Sequence, residues 1–244
     1  MKVRREITLE NNSIIYRESP PMRIIARIRT DFPEKFGIPR QSGLVSDLRA
    51  TIVFEPEYRN PDSLRGLDGF SHIWIIWEFS ETLRSTWSPT VRPPRLGGEQ
   101  RMGVFATRSP FRPNAIGLSS VKLDSIEMNT DLGPVLLVSG ADLMDNTPIY
   151  DIKPYLPYTD SHPDASGGFA DPLLEYILEV EFPEEWLSLI PEARQQSLIQ
   201  VLSLDPRPGY QNDPDRIYGL AFAGFNIQFT VQDTKLVVCS VVPA

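Results

Sequence analysis

Six short apolar runs, rich in β-branched and aromatic residues, occupy the first two-thirds of this chain, with turn residues between them. They lie at residues 23–29, 50–55, 71–79, 102–106, 118–128 and 135–143. Residues 71–79, SHIWIIWEF, are too short and too β-branched for a comfortable helix and read as a buried strand. In 118–128 the alternation through Val121, Leu123, Ile126 and Met128 is imperfect, which predicts a bulge or bend. Asp68-Gly69, Gly97-Gly98 and Leu132-Gly133-Pro134 supply turn chemistry. Many short strands with turn-rich joins and little helix predict a closed or nearly closed barrel over residues 22–158.

Residues 161–168, SHPDASGG, are small, polar and flexible, and mark a linker over 159–171. Beyond it Leu174, Tyr176, Leu178, Val180 and Phe182 alternate with Glu175, Ile177, Glu179 and Glu181, the pattern of a strand. Pro183 opens a helical pattern that pauses at Pro191 and resumes to about Leu204, and two or three strands follow between Ile217 and Val242. The expected fold is therefore mainly β: a small N-terminal barrel, then an α+β domain over 172–244. Residues 1–21 stand apart as an extension with no assigned element.

Several function classes lack their parts. No G-x-G-x-x-G occurs and strands do not alternate with helices, so a doubly wound nucleotide-binding fold is disfavoured. No phosphate-loop G-x-x-x-x-G-K-[ST] and no G-x-S-x-G is present either. The one cysteine, Cys239, excludes an internal disulfide and a cysteine-held zinc, and with only His72 and His162 no metal site is expected. No apolar run approaches the ~18 residues of a membrane span, and the first residues lack an apolar signal core, so a cytoplasmic protein is expected.

The net charge of −8 argues against indiscriminate nucleic-acid binding, but its distribution matters more. Residues 156–244 hold 13 acids and 4 bases, whereas residues 1–155 hold 19 acids and 20 bases. From Arg84 to Arg112 there are six arginines, no lysine and one acid, Glu99. Arginine used to the exclusion of lysine suggests contacts that depend on its planar fork, to phosphate, carboxylate or a stacked base. Two proline-stiffened stretches present these side chains: PTVRPPRLGG with Arg92 and Arg95, and GVFATRSPFRPNAIGL with Arg108, Arg112 and Asn114. FGIPRQSGLV places Arg40 and Gln41 between a proline and a glycine. DIKPYLPY, residues 151–158, reads as a loop that joins an acid, a lysine and two tyrosines. Asp142 and Asp145 flank Leu143-Met144 at the end of an apolar run, where they either close a turn or belong to a site.

In that order, PRQSGLV, RGLDGFSHIWIIWEF, PTVRPPRLGG, GVFATRSPFRPNAIGL and DIKPYLPYTD resemble the TsaA-like methyltransferases. More narrowly they resemble the bacterial members that N6-methylate threonylcarbamoyladenosine in tRNA. The match runs from about Ile24 to Asp160, and DPRPGYQNDPDRIYGLAFAGFNIQF resembles those members' C-terminal domain. The resemblance implies a small β-barrel that binds S-adenosyl-L-methionine, and a homodimer with the site near the subunit interface. It implies cofactor contacts at Pro39, Arg40, Gln41, Phe79, Ser80, Arg108, Leu118, Ser139, Gly140, Ala141 and Asp142. The substrate it implies is tRNA carrying threonylcarbamoyladenosine.

Chemical type extends this reading. An arginine suits the methionyl carboxylate, and an acid suits ribose hydroxyls or the ammonium. Asp151, Lys153, Tyr155 and His72 are candidates to assist the poorly nucleophilic N6 nitrogen. Arg92, Arg95, Arg101 and Arg112, with Asn114, are candidates for tRNA or for the threonyl carboxylate. Two other readings stay open: a methyltransferase of the same fold on another RNA or small molecule, and a cofactor-binding regulator without catalysis.

Overall fold

Burial with period two organises the N-terminal part. The computed structural model describes residues 4–10, 13–18, 21–82, 86–93, 100–173, 176–207, 211 and 213–244. It opens with an antiparallel hairpin, β1 (Arg4–Glu10) and β2 (Ser13–Glu18), in residues to which the sequence assigns no element. Then follow β3 (Ala26–Arg29), β4 (Arg49–Phe54), β5 (His72–Glu78), β6 (Thr90–Val91), β7 (Met102–Gly103), β8 (Ile116–Glu127), β9 (Val135–Ser139) and β10 (Pro148–Pro154).

Strands β10, β3, β4, β9, β8 and β5 bond in that order, and β5 pairs back onto β10 to close an antiparallel six-stranded barrel. Closure leaves no sheet edge to manage. Alternate residues fill the interior: Ile28, Ile52, Ile73, Ile75, Trp77, Val121, Leu136, Val138 and Ile149 are all in one buried cluster. The expected irregularity of the 118–128 run is a register shift between Leu123 and Ser125.

Three expected elements differ in extent. The 102–106 run is a strand only over Met102–Gly103; Val104–Ala106 turn into a 3-10 helix that buries Val104 and turns Phe105 outward. The 135–143 run ends as a strand at Ser139, because Gly140, at φ 80°, turns the chain. Residues 151–154, read as loop, belong to β10, and helix α1 (Pro157–Asp160) follows. Its prolines sit at the two ends of the strand, where a missing N–H interrupts little of the ladder.

The C-terminal part comprises β11 (Glu179–Glu181), α2 (Glu184–Leu187), α3 (Glu192–Ser203), β12 (Tyr218–Phe222), β13 (Phe225–Gln232) and β14 (Lys235–Pro243). The strand expected over 174–182 is thus only three residues long, and Leu174 and Glu175 lie outside the described residues. It is parallel to β14, whereas β14–β13 and β13–β12 are antiparallel. Helix α3 buries Leu198, Val201 and Leu202 against this sheet.

That C-terminal core is not built from C-terminal residues alone. Phe32, Val45 and Leu48, from the connection between β3 and β4, are buried in it. A Cβ on Gly37, at φ 86°, would lie 2.1 Å from Leu220 Cδ1, so the connection approaches the sheet at a glycine for want of room. Asp31 pairs with Arg194 of α3 at 2.7 Å, and its carbonyl accepts from the Ala223 N–H at 2.9 Å. The α+β part therefore sits on the barrel rim from which this connection emerges. Among the described residues no helix is long and apolar enough to cross a membrane.

Candidate functional site

The same rim gathers the connection after β3, the chain leaving β9, the C-terminal end of β5 and the start of β8. Gly43 donates to the Gly140 carbonyl at 2.9 Å, and Gly140 donates to the Leu48 carbonyl at 2.8 Å. A Cβ on Gly140 would come within 3.4 Å of the Gly43 backbone, so two left-handed glycines bring the two segments into direct contact. This places Pro39, Arg40 and Gln41 beside Gly140, Ala141 and Asp142.

Asp142 is held from inside the barrel. Ser119 Oγ donates to its Oδ1 at 2.6 Å, and Trp77 Nε1 donates to Ser119 Oγ at 3.0 Å. Ser119 stands in the inward register of β8 between Gly117 and Val121, where an apolar residue would be expected. Trp77 lies over Gly117, where a Cβ would be 2.2 Å from its ring, and the Trp77 and Phe79 ring centroids are 4.2 Å apart. Burial, the dominant influence, raises the Asp142 carboxyl above the ordinary range; Ser119, Arg108 and the Ser42 backbone oppose it. A half-buried acid so placed is a common mark of a site.

Arg108 completes the rim. Its guanidinium donates to Gln41 Oε1, so the 104–112 segment is tied to the Pro39–Gln41 turn. Arg40 Nη2 donates to the Arg207 carbonyl of the C-terminal part at 3.3 Å. Arg207 is 5% exposed and grips Asp205 with both sides of its fork, at 2.9 and 3.0 Å. Leu118, one position from Ser119 and so on the outer face, is exposed, and Phe79 and Ser80 continue β5 at this rim. An open groove of about 430 Å³ adjoins them, lined by Pro33, Glu34, Lys35, Phe36, Glu81 and Met144. The Ser139 hydroxyl turns elsewhere and donates to Asp124. Asp145 accepts from the Thr30 N–H at 3.0 Å, which makes it a turn-closing acid.

The residues expected to assist the reaction form a second group. Asp151 and Lys153 pair at 2.9 Å. The Tyr155 ring lies 5.5 Å from Trp74 and 6.1 Å from His72, whose Nδ1 contacts Ser71 Oγ at 2.9 Å. Ile73, Ile75 and Ile152 face the core, so these side chains occupy the outer wall of β5 and β10. His72 and Phe79 are seven positions apart along β5, roughly 23 Å at strand rise. The His72–Tyr155 end of this second cluster is thus remote from the rim cluster, while Asp151, in register with Ile76, stands nearer to it.

Of the expected RNA-facing residues, Arg92, Arg101 and Asn114 are exposed. Arg101 Nη1 donates to Thr90 Oγ1 at 3.4 Å across the small β6–β7 ribbon. Arg112 Nη1 donates to the Thr107 carbonyl at 3.1 Å, so part of its fork holds its own loop. Arg95 lies outside the described residues. Sequence reasoning missed Ser119, Trp77 and Arg207. Only Ser119 left a trace, as a polar side chain in an inward register.

Comparison with known proteins agrees with this architecture. The chain is 41% identical over 227 residues to the tRNA (adenine(37)-N6)-methyltransferase of Escherichia coli, covering 90% of this chain and 96% of that one. It is 42% identical over 204 residues to RcsF of Pseudomonas aeruginosa, classed with the S-adenosylmethionine-dependent methyltransferases, covering 80% and 86% of the two chains. The crystal structure of TrmO from P. aeruginosa superposes with a TM-score of 0.74 at 33% identity, over 93% of this chain and 98% of that one. The tRNA-methyltransferase O N-terminal domain matches residues 27–161 and the TrmO C-terminal domain matches residues 175–244. Both matched domains occur in their family order around the rim site, and the chain belongs to the tRNA-methyltransferase O family.

Proposed function

We propose that this protein transfers a methyl group from S-adenosyl-L-methionine to N6 of threonylcarbamoyladenosine at position 37 of tRNA, beside the anticodon. The observation that carries the reading is the Trp77–Ser119–Asp142 chain beneath the Arg108–Gln41 rim, in a chain so similar along its length to the E. coli enzyme. The site suits the cofactor chemically. Asp142, half-buried and fixed through one oxygen, is matched to ribose hydroxyls or an ammonium; Arg108 and Arg40 are matched to a carboxylate; Phe79 and Leu118 offer apolar surface. When bound, the cofactor supplies an electrophilic sulfonium methyl. The chain's own part is to orient the reactants and exclude water, and much of the acceleration comes from that positioning.

The protein acts as a homodimer in the cytoplasm. Support for the dimer comes from the distance of His72 and Tyr155 from the rim: that end of the wall can serve a rim site if it belongs to the partner subunit. Light scattering tests this, and a monomer that retains full activity would contradict it. Exposed Arg92 and Arg101 contact RNA phosphates, and Arg95, Arg112 and Asn114 complete the substrate side. Arg92→Ala combined with Arg101→Ala is expected to lower tRNA methylation, flatten its salt dependence and leave cofactor affinity near normal.

The deciding experiment incubates the protein with S-adenosyl-L-methionine and tRNA with or without the threonylcarbamoyl group, followed by mass spectrometry of the nucleosides. Methyl transfer confined to the threonylcarbamoylated tRNA is expected. Equal methylation of both tRNAs, or of neither, would overturn the reading.

A further inference from the structure

Two aromatic rings outside both clusters lack a core to belong to. Trp87 is 53% exposed and Phe105 is 74% exposed, yet their ring centroids are only 6.2 Å apart with 33° between the planes. Local backbone holds them together. Thr90 pairs with Gly103 and Val91 with Met102, the Val104 N–H donates to the Pro89 carbonyl at 2.9 Å, and buried Val104 anchors the turn that projects Phe105. An exposed apolar pair this well supported marks a surface that meets something.

Charge indicates what it meets. Exposed Arg92 and Arg101 adjoin the same small ribbon and exposed Arg108 follows Phe105 by three residues, in a stretch where Glu99 is the one acid, on a chain of net charge −8. Aromatic rings flanked by arginines bind single-stranded nucleic acid, because every base has a π-face and every nucleotide a phosphate. Position fits as well. Phe105 is three residues from Arg108, which contacts the Gln41 turn of the rim, so the rings lie within ~10 Å of chain from the candidate site.

We propose that Trp87 and Phe105 form a stacking platform for an unpaired base of the RNA substrate, next to the nucleotide that is methylated, with Arg92 and Arg101 on the neighbouring phosphates. This rests on the RNA-methylating reading above. The platform holds a loop nucleotide splayed from its neighbours, which a paired stem cannot offer.

The test measures steady-state methylation of a threonylcarbamoylated anticodon stem-loop by the full-length protein and by Trp87→Ala, Phe105→Ala and Trp87→Phe. Each alanine variant is expected to raise KM for the stem-loop about tenfold. Cofactor affinity, melting temperature and mass by light scattering should stay as in the wild type, and Trp87→Phe should restore most of the loss. The alanine variants should keep the wild-type salt slope, whereas Arg101→Ala flattens it, since stacking releases no counterions. An unchanged KM in both alanine variants would overturn the platform, as would a change in oligomeric mass that accompanies the loss, which would assign the rings to a second copy of the chain. Stem-loop quenching of tryptophan fluorescence that vanishes in Trp87→Phe would uphold the platform even if the wild type left the RNA unmethylated. In that case only the proposed reaction would fall.

Discussion

At the scale of residues, Asp142 joins stability to the proposed cofactor site. Its carboxyl is raised above the ordinary range mainly by burial, so the folded chain binds that proton more tightly than the unfolded chain. Its contribution is then most favourable below the ordinary carboxyl range, and declines as pH rises from there to the raised value. Asp142→Asn keeps an acceptor for Ser119 but cannot ionise. The stability difference, variant minus wild type, is expected to grow across that window and then level off, as followed by urea unfolding from acid to neutral pH. Titration calorimetry should show weakened S-adenosyl-L-methionine binding in the same variant. Ser119→Ala acts differently. It leaves the Trp77 indole N–H buried without its acceptor and removes a donor from Asp142. A loss of about 1–3 kcal/mol is expected in chemical denaturation, together with weaker cofactor binding. Unchanged stability would mean that Trp77 finds another acceptor.

At the scale of elements, the hairpin between β12 and β13 is the clearest case of local conflict. It is closed by Ala223 and Gly224, at φ 51° and 82°. A tight turn that follows the strand twist wants left-handed backbone there, and alanine adopts it at a cost. The turn lies at the junction, where the Ala223 N–H donates to the Asp31 carbonyl. Ala223→Gly keeps that bond and relieves the strain. It is expected to stabilise the protein by up to about 1 kcal/mol, the left-handed penalty less the added unfolded-state entropy, measured as a shift in the denaturation midpoint. Ala223→Val should do the opposite. Strand β8 shows the converse arrangement, in which a glycine is required by its neighbour: Gly117 lies beneath the Trp77 ring and leaves it room to reach Ser119.

At the scale of the whole molecule, the C-terminal part is fastened to the segment that forms the rim. Residues Phe32, Val45 and Leu48 lie in its core, and Arg207 receives Arg40. The Asp31–Arg194 pair is the polar part of this junction, with 15% and 29% of the two side chains exposed. Burial, the largest influence, raises the Asp31 carboxyl, and Arg194 pulls it back. Arg194→Ala removes that restraint, so Asp31 rises further. The expected loss is about 2–3 kcal/mol near neutral pH, less than for a fully buried pair, because water reaches both groups. It should shrink in acid, where Asp31 is protonated with or without its partner. Thermal melts at several pH values check this. A pH-independent loss would make Arg194 a packing residue only.

The barrel was legible before any tertiary contact because short runs of β-branched and aromatic residues between turn residues are a local signal, and the alternate burial in β4, β5 and β8 then follows from the pleat. The two helical segments after Pro183 were legible too, where proline breaks and apolar spacing are again local, and the two or three closing strands expected there are three. Motif order led to the rim residues, with Asp142 legible as an acid at the end of an apolar strand. Other features depended on partners far away in sequence. β10 is a strand because β5 and β3 flank it, although its prolines and its charged pair read as loop. Among the described residues, β11 is three residues long because Glu179–Glu181 are the ones that find a ladder on β14. The Arg207 carbonyl under Arg40 left no sequence trace, since a backbone acceptor has the same chemistry at every position. The separation of Asp142 from Tyr155 and His72 was likewise decided by tertiary structure: alternation assigns each residue to a face, but barrel closure decides which end of which strand stands beside which.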